Sequence, residues 1–291
     1  MSLFGTLNTA VSALSSFSTG LDVVGNNIAN VNTVGFKGSS ASFEDSFSNT
    51  LQASAPANGT TSTEPSIQVG TGVAVAGITK DFSQGTLDST GNTTDLAISG
   101  NGFFIVKDAT SLTQYATRDG QFSVDGNGYL VNQGGQRVQG YVGGSSSTPL
   151  GTTVGDIQIG LSLPAGASLQ SVAIDTAGHI VESYSNGTSA TTNQVLLQNF
   201  SDTAALMSTG NNLFTGLAAA GPVGGGILAG GNSPTSSGLG AIQSGSLEAS
   251  NVDLTQQFSN LITMQRSFQA SARLITVSDT VLDDVVNLKR S

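Results

Sequence analysis

The 291-residue sequence predicts an α+β protein. It pairs a terminal α-helical coiled-coil domain, built from both chain ends, with a central, mainly antiparallel β domain. Three observations carry this. Apolar residues recur every seven positions near the N-terminus, the same spacing returns near the C-terminus, and between them lie short alternating runs punctuated by Asn-Gly and Asp-Gly turns.

The first element is the N-terminal helix. Leu7, Leu14, Leu21 and Ile28 fall at seven-residue intervals, and Leu3, Ala10, Phe17 and Val24 repeat the spacing with an offset of three. Together they form an a/d seam. No charged side chain occurs in the first 21 residues, yet Ser, Thr and Asn interrupt the segment repeatedly. It fits poorly as a membrane span or as a signal peptide with a basic n-region, and export, if it occurs, is expected to proceed without a cleaved signal. The helix should end within "VVGNNIANVNTVGFKG", Val23 to Gly38. Ile28 is its last seam residue and Gly35 a chain reversal. Asn26, Asn27 and Asn30 carry amides that both donate and accept, which suits backbone groups left open where a helix stops inside a packed region.

The helical domain is expected over 1–34 and 249–291, with a linker over 35–66 whose second half is rich in Ser, Thr, Ala, Asn and Pro. The β-rich domain is expected over 67–141 and 168–248. Its hairpin signals are Asn101-Gly102, Asp125-Gly126, Asn127-Gly128 and Asn186-Gly187. Residues 142–167 are expected to be a vestigial insertion or loop, and 216–240, dominated by Gly, Ala and Ser, a second linker.

The C-terminal helix repeats the seam with Leu254, Leu261, Phe268, Ile275 and Leu282. A second stripe, Leu274, Val281 and Leu288, predicts that this helix touches more than one neighbour. Ser250 or Asn251 is the expected N-cap, with Asp253 in the first turn.

Composition narrows the function. The net charge of -10 argues against nucleic acid, and the absence of Cys removes thiolate and disulfide chemistry. The single histidine, His179, follows a turn and has no second His or Cys with which to hold a transition metal. "DGNG" at Asp125 lacks the ligand series of a calcium loop and fits a hairpin turn. Asp95 and Asp119 are the carboxylates a hydrolase would draw on, but their spacing implies no pairing. The sequence reads as a non-enzyme without cofactor or metal. A secreted β-rich adhesin is the alternative from another class; it is disfavoured by the paired terminal heptads and by the lack of Trp.

"GNNIANVNTVGFKG" resembles the N-terminal motif of the bacterial flagellar rod and hook family. "GSLEASNVDLTQQFSNLITMQRSFQASARLITVSDTVLDDVVNL", from Gly245, resembles that family's C-terminal motif. Within the family, "LVNQGGQRVQGY" and "VESYSNGTSATTNQVLLQNFSD" are similar to hook segments, whereas "GNNLF" and "SGSLEASNVD" are shared with distal rod proteins. Only about 42 residues separate Tyr141 from Tyr184, too few for the outer domain of a typical hook subunit. The resemblance implies a short hook subunit, with a distal rod subunit as the alternative. It further implies a homopolymer that transmits torque, exported by the flagellar type III apparatus and assembled beneath a hook cap protein. Its neighbours would be the distal rod and hook–filament junction proteins, outside the cell, with neither nucleic acid nor membrane insertion. The polymer interface it implies comprises Asn26, Asn27, Asn30, Gly35, Phe36 and the two seams.

Overall fold

The computed structural model describes residues 3–54, 65–144, 151–160, 166–229 and 232–288. The chain divides into two compact units. One holds residues 1–29, 38–81 and 252–291; the other holds 30–37 and 82–251.

In the first unit, helix α1 (Leu3–Ala29) packs on helix α2 (Leu254–Leu288). They run antiparallel, because Asn27 near the end of α1 bonds Gln257 near the start of α2, while Gly20 lies beside Met264. The buried positions of α1 are Ala10, Ser16, Gly20, Val24 and Asn27, of which Ala10 and Val24 belong to the expected seam and the other three lie beside it. Small residues at three of them let the neighbouring elements approach closely. α2 begins one residue after Asp253, whose Oδ1 accepts from Thr255 N at 2.8 Å and Gln256 N at 3.3 Å. Asp253 is thus the cap, in place of Ser250 or Asn251: a carboxylate satisfies two of the open N–H groups at the positive helix end.

The same unit carries strands inside the stretch expected as a linker. Ser39–Asp45 pairs antiparallel with Val73–Lys80, and Ser48–Gln52 with Ile67–Gly70. Residues 55–64 lie outside the described residues. α1 is held to this β layer by its own hydroxyls and amides. Ser16 Oγ donates to Val73 O at 3.1 Å, and Phe17 meets Phe43 edge-on at 5.7 Å. No helix among the described residues is long and apolar enough to cross a membrane.

The second unit is built on a twelve-stranded antiparallel sheet. Its main path runs Leu169–Ile174, His179–Tyr184, Ser189–Val195, Arg137–Val142, Phe103–Lys107, Gln114–Thr117, Leu213–Thr215 and Met207–Gly210. The run "GFFIVK" shows why the centre is buried on both faces. Phe104 and Val106 enter one apolar cluster with Leu96, Ile98 and Ile180; Phe103 and Ile105 enter another with Leu196, Phe200 and Phe214. Period-two alternation sends neighbours to opposite faces, so a strand covered on both sides is apolar throughout.

Asp125-Gly126-Asn127-Gly128 and Asn186-Gly187 form the expected hairpin turns. Asn101-Gly102 does not, because Leu96–Ser99 pairs with Ala241–Ser244 and leaves Phe103–Lys107 to pair elsewhere. The Gly-rich stretch 216–240 is not a loose linker. Leu217, Ala220, Leu228 and Leu239 are buried, and Asn232 O accepts from Leu197 N at 3.0 Å. Part of the expected insertion, Thr153–Asp156, pairs with Arg137–Val142; residues 145–150 and 161–165 lie outside the described residues.

Two carboxylates of this unit predict opposite pH behaviour. Asp156 receives Lys107 at 3.1 Å and Arg137 at 3.0 Å. Burial pushes its carboxyl up, but hydrogen bonds from Gln139, Arg137 and Lys107 prevail and hold it below the ordinary range. Its contribution is present above the unfolded pKa of about 4 and is lost as pH falls through the lower native value. D156N should therefore lower stability by about 1 kcal/mol at neutral pH, with the gap closing in acid. Asp119 is raised, mainly by burial, so its contribution is lost as pH rises through its native value. D119N keeps an acceptor for Gln121 N and should be the more stable form at neutral pH. Urea melts across pH check both signs.

Candidate functional site

Asn27 answers what the asparagines near the end of α1 do. Its side chain is buried, its Nδ2 donates to Ser39 O at 2.7 Å, and its Oδ1 accepts from Ser39 N at 2.9 Å. One amide thus pairs with the backbone of Ser39 as a neighbouring strand would. Asn30 Oδ1 accepts from Thr33 Oγ1 at 3.1 Å in the turn that follows, and Asn26 is solvent-exposed. Gly35 has φ +67°, and a Cβ there would stand 2.6 Å from Asp119 N, so only glycine fits the reversal.

The next residues lead to a buried charge cluster. Lys37 is 1% exposed, Arg118 3% and Glu248 0%. Lys37 Nζ donates to Glu248 Oε1 at 2.7 Å and to Ser83 O at 2.7 Å. Arg118 Nη1 reaches Glu248 Oε2 at 3.1 Å, and Gly85 N donates to Oε1 at 2.9 Å. The backbone of Glu248 is used as well: its carbonyl accepts from Gly35 N at 2.7 Å, and Ser246–Glu248 pairs with Leu87–Ser89. Arg118 also lies over the Phe103 ring at 5.2 Å. Burial lowers the Arg118 pKa, and the charge of Glu248 counters it.

This cluster lies wholly within the second unit, and Lys37, Gly85 and Glu248 are close in sequence to points where the chain enters or leaves it. The crossings fall at 29–30, 37–38, 81–82 and 251–252. Within the second unit Glu248 gathers Gly35 and Lys37 from one segment, Gly85 from another, and its own strand from the third. Sequence reading placed Gly35 and the buried Phe36 at a functional position but missed Lys37, Arg118 and Glu248.

The seam residues separate into two groups. Leu7, Leu14, Leu21, Ile28, Leu261, Ile275 and Leu282 are half-buried within the chain's own helical unit. Leu254 and Phe268 are 39% and 37% exposed. Sequence reading missed further exposed apolar residues on α2, including Ile262, Val277 and Val285. Among the described residues no three His, Cys, Asp or Glu side chains converge to hold a metal.

Removing one member of a buried ion network strands the others, at about 3–5 kcal/mol. E248L should approach that loss, because it abandons two cations. K37M should lose less, since Glu248 keeps Arg118 and Gly85. Chemical denaturation of the two variants checks the order.

The comparisons with known proteins agree along the chain. Family models described as flagella basal body rod protein, flagellar hook protein FlgE/F/G D1 domain and flagellar basal body rod FlgEFG protein C-terminal match residues 7–37, 97–182 and 243–288. The flagellar basal-body rod protein FlgG of Bacillus subtilis (strain 168) is 37% identical over 284 residues, covering 98% of each chain. FlgG of Borreliella burgdorferi is 33% identical over 286 residues, covering 97% of each. The flagellar hook protein FlgE of Helicobacter mustelae is 50% identical over 133 residues, 45% of this chain and 29% of that protein. With two terminal helices around an antiparallel β unit and relatives matched from end to end, the chain belongs to the flagellar rod and hook family of structural proteins.

Proposed function

We propose that this chain is a self-assembling structural subunit of the flagellar axis, and that it serves in the distal rod. The observation that carries the rod reading is length. The rod relatives match nearly their whole chains over 284 and 286 residues, whereas a hook relative matched end to end needs an alignment of 422 residues, far longer than this 291-residue chain. The short spacing of about 42 residues between Tyr141 and Tyr184 supports a subunit without a large outer domain. The hook reading stands second, favoured by the 50% identity over 133 residues to the hook protein of Helicobacter mustelae.

In either role α1 and α2 form the part that packs against other copies, and the β unit the part around them. Lone seam side chains have little to gain from water, so the exposed apolar residues of α2 are the surface that assembly would cover. Type III export, a cap protein at the growing end and junction partners on either side belong to this same proposal.

Two tests apply. L14D or L261D places a charge in the α1–α2 seam at a loss of at least about 2 kcal/mol. It should abolish polymers seen by light scattering while the β unit keeps its circular dichroism. Electron microscopy of basal bodies from a strain lacking the gene should show a truncated rod and no hook. A complete rod without a hook would instead establish the hook role, and normal basal bodies would remove the axial assignment.

A further inference from the structure

One half-buried carboxylate of the β unit has no counter-charge. Glu248 and Asp156 each hold two cations. Buried Glu182 accepts from Gly160 N, Thr192 Oγ1 and Tyr184 Oη at 2.9 Å each. Buried Asp95 accepts from Thr90 Oγ1 at 2.6 Å and Asn92 Nδ2 at 3.2 Å. Half-buried Asp119 accepts only from Gln121 N, at 3.0 Å through Oδ1, and no side chain among the described residues donates to it. It borders a cleft of about 310 Å³ that lies within the β unit. Gln133 and Asn211 line the cleft with it, and no Lys, Arg or His does. Gln133 donates its amide nitrogen to Gln121 Oε1 at 2.6 Å, which leaves its own amide oxygen open. The wall at Asn211 is fixed by its neighbour: Asn212 Nδ2 donates to Val34 O at 2.7 Å, and Thr117 Oγ1 donates to Asn212 O at 2.9 Å. The charge of Asp95 acts on Asp119 as well. The cleft is therefore a preformed pocket of open oxygens around one carboxylate. A single open carboxylate gives a calcium ion too few charged ligands.

The chain's own cations narrow what fills it. Of nine Lys and Arg, Lys37, Arg118, Lys107 and Arg137 are committed to Glu248 and Asp156. Lys80 is half-buried, and Lys289 and Arg290 lie outside the described residues. Arg266 and Arg273 are exposed on α2, and neither has an acidic partner among the described residues. They stand about two turns apart on one side of the helix. We propose that the Asp119 cleft receives one of these arginine side chains from a second copy. A planar guanidinium carries several N–H donors, so one group meets the carboxylate and the amide oxygens together. Because the cleft and the arginine belong to different elements, each copy gives one contact and receives one. Such a heterologous contact repeats without two neighbours competing for one face, as an open polymer requires. The inference rests on the self-assembly reading above and adds to it a contact between a helix and the β unit of the next copy.

D119N in the full-length chain tests the contact, since it keeps the shape of the side chain and removes its charge. The single chain should be no less stable to urea, yet the concentration needed for assembly should rise about tenfold. R266Q or R273Q should raise it by a similar factor. That arginine variant combined with D119N should lose no more than either alone, because both remove the same pair. Opposite effects on the chain and on the polymer are what a carboxylate kept for a neighbour produces. Assembly of D119N at the unaltered concentration would overturn the contact. A loss of chain stability alongside the loss of assembly would mark Asp119 as a structural residue and overturn it too. So would losses that add with both arginine variants. All three results leave self-assembly standing. Failure of the unaltered chain to assemble would overturn the self-assembly reading, and this contact with it.

Discussion

Glu248 is fully buried, so the protein itself must balance its charge and fill its acceptor sites. Lys37, Arg118 and Gly85 do so with side-chain and backbone donors, and Gly35 takes the backbone carbonyl. The donors come from three parts of the chain: Gly35 with Lys37, Gly85, and Arg118. The reversal at Gly35, the entry past Ser83 and the return through Ser246–Glu248 are therefore fixed together or not at all. A buried ion cluster of this kind is a poor source of net stability compared with apolar packing, and the apolar clusters of the β unit do not need it. What it supplies is one arrangement of the segments that lead toward the helices.

The helical unit solves a different problem with different residues. Its helices carry Ser, Thr, Gln and Asn at positions where a single-chain coiled coil would carry more Leu. Ser16 and Asn27 use that polarity to bond the strands beside α1. Apolar side chains are also left exposed along α2, among them Phe258, Ile262, Val277 and Val285.

Most of the helical unit was legible in the sequence because heptad spacing is local and strongly periodic. α1 ends at Ala29, one residue past its last seam position. The strand Ser39–Asp45 was hidden, since its composition is that of a linker and only pairing with Val73–Lys80 makes it regular. The stretch 216–240 was missed for the same reason: among its described residues, Gly216 and Gly221 serve turns beside the buried Leu217 and Ala220. The charge cluster left one trace. Lys37 is the sole charged residue between Asp22 and Glu44, and Glu248 the sole one between Asp202 and Asp253. Such isolated charges in uncharged runs point to buried partners, but no local pattern could reveal that these two meet across 211 positions.

Residue-level hydrogen exchange on the full-length E248L variant tests the central claim most directly. If Glu248 fixes the connecting segments and not the core, amides of residues 33–37, 83–89 and 244–248 will lose protection. Those of Phe104, Ile105, Val106 and Leu197 will keep it. Loss of protection across the whole β unit, or no loss at the connecting segments, would contradict that account.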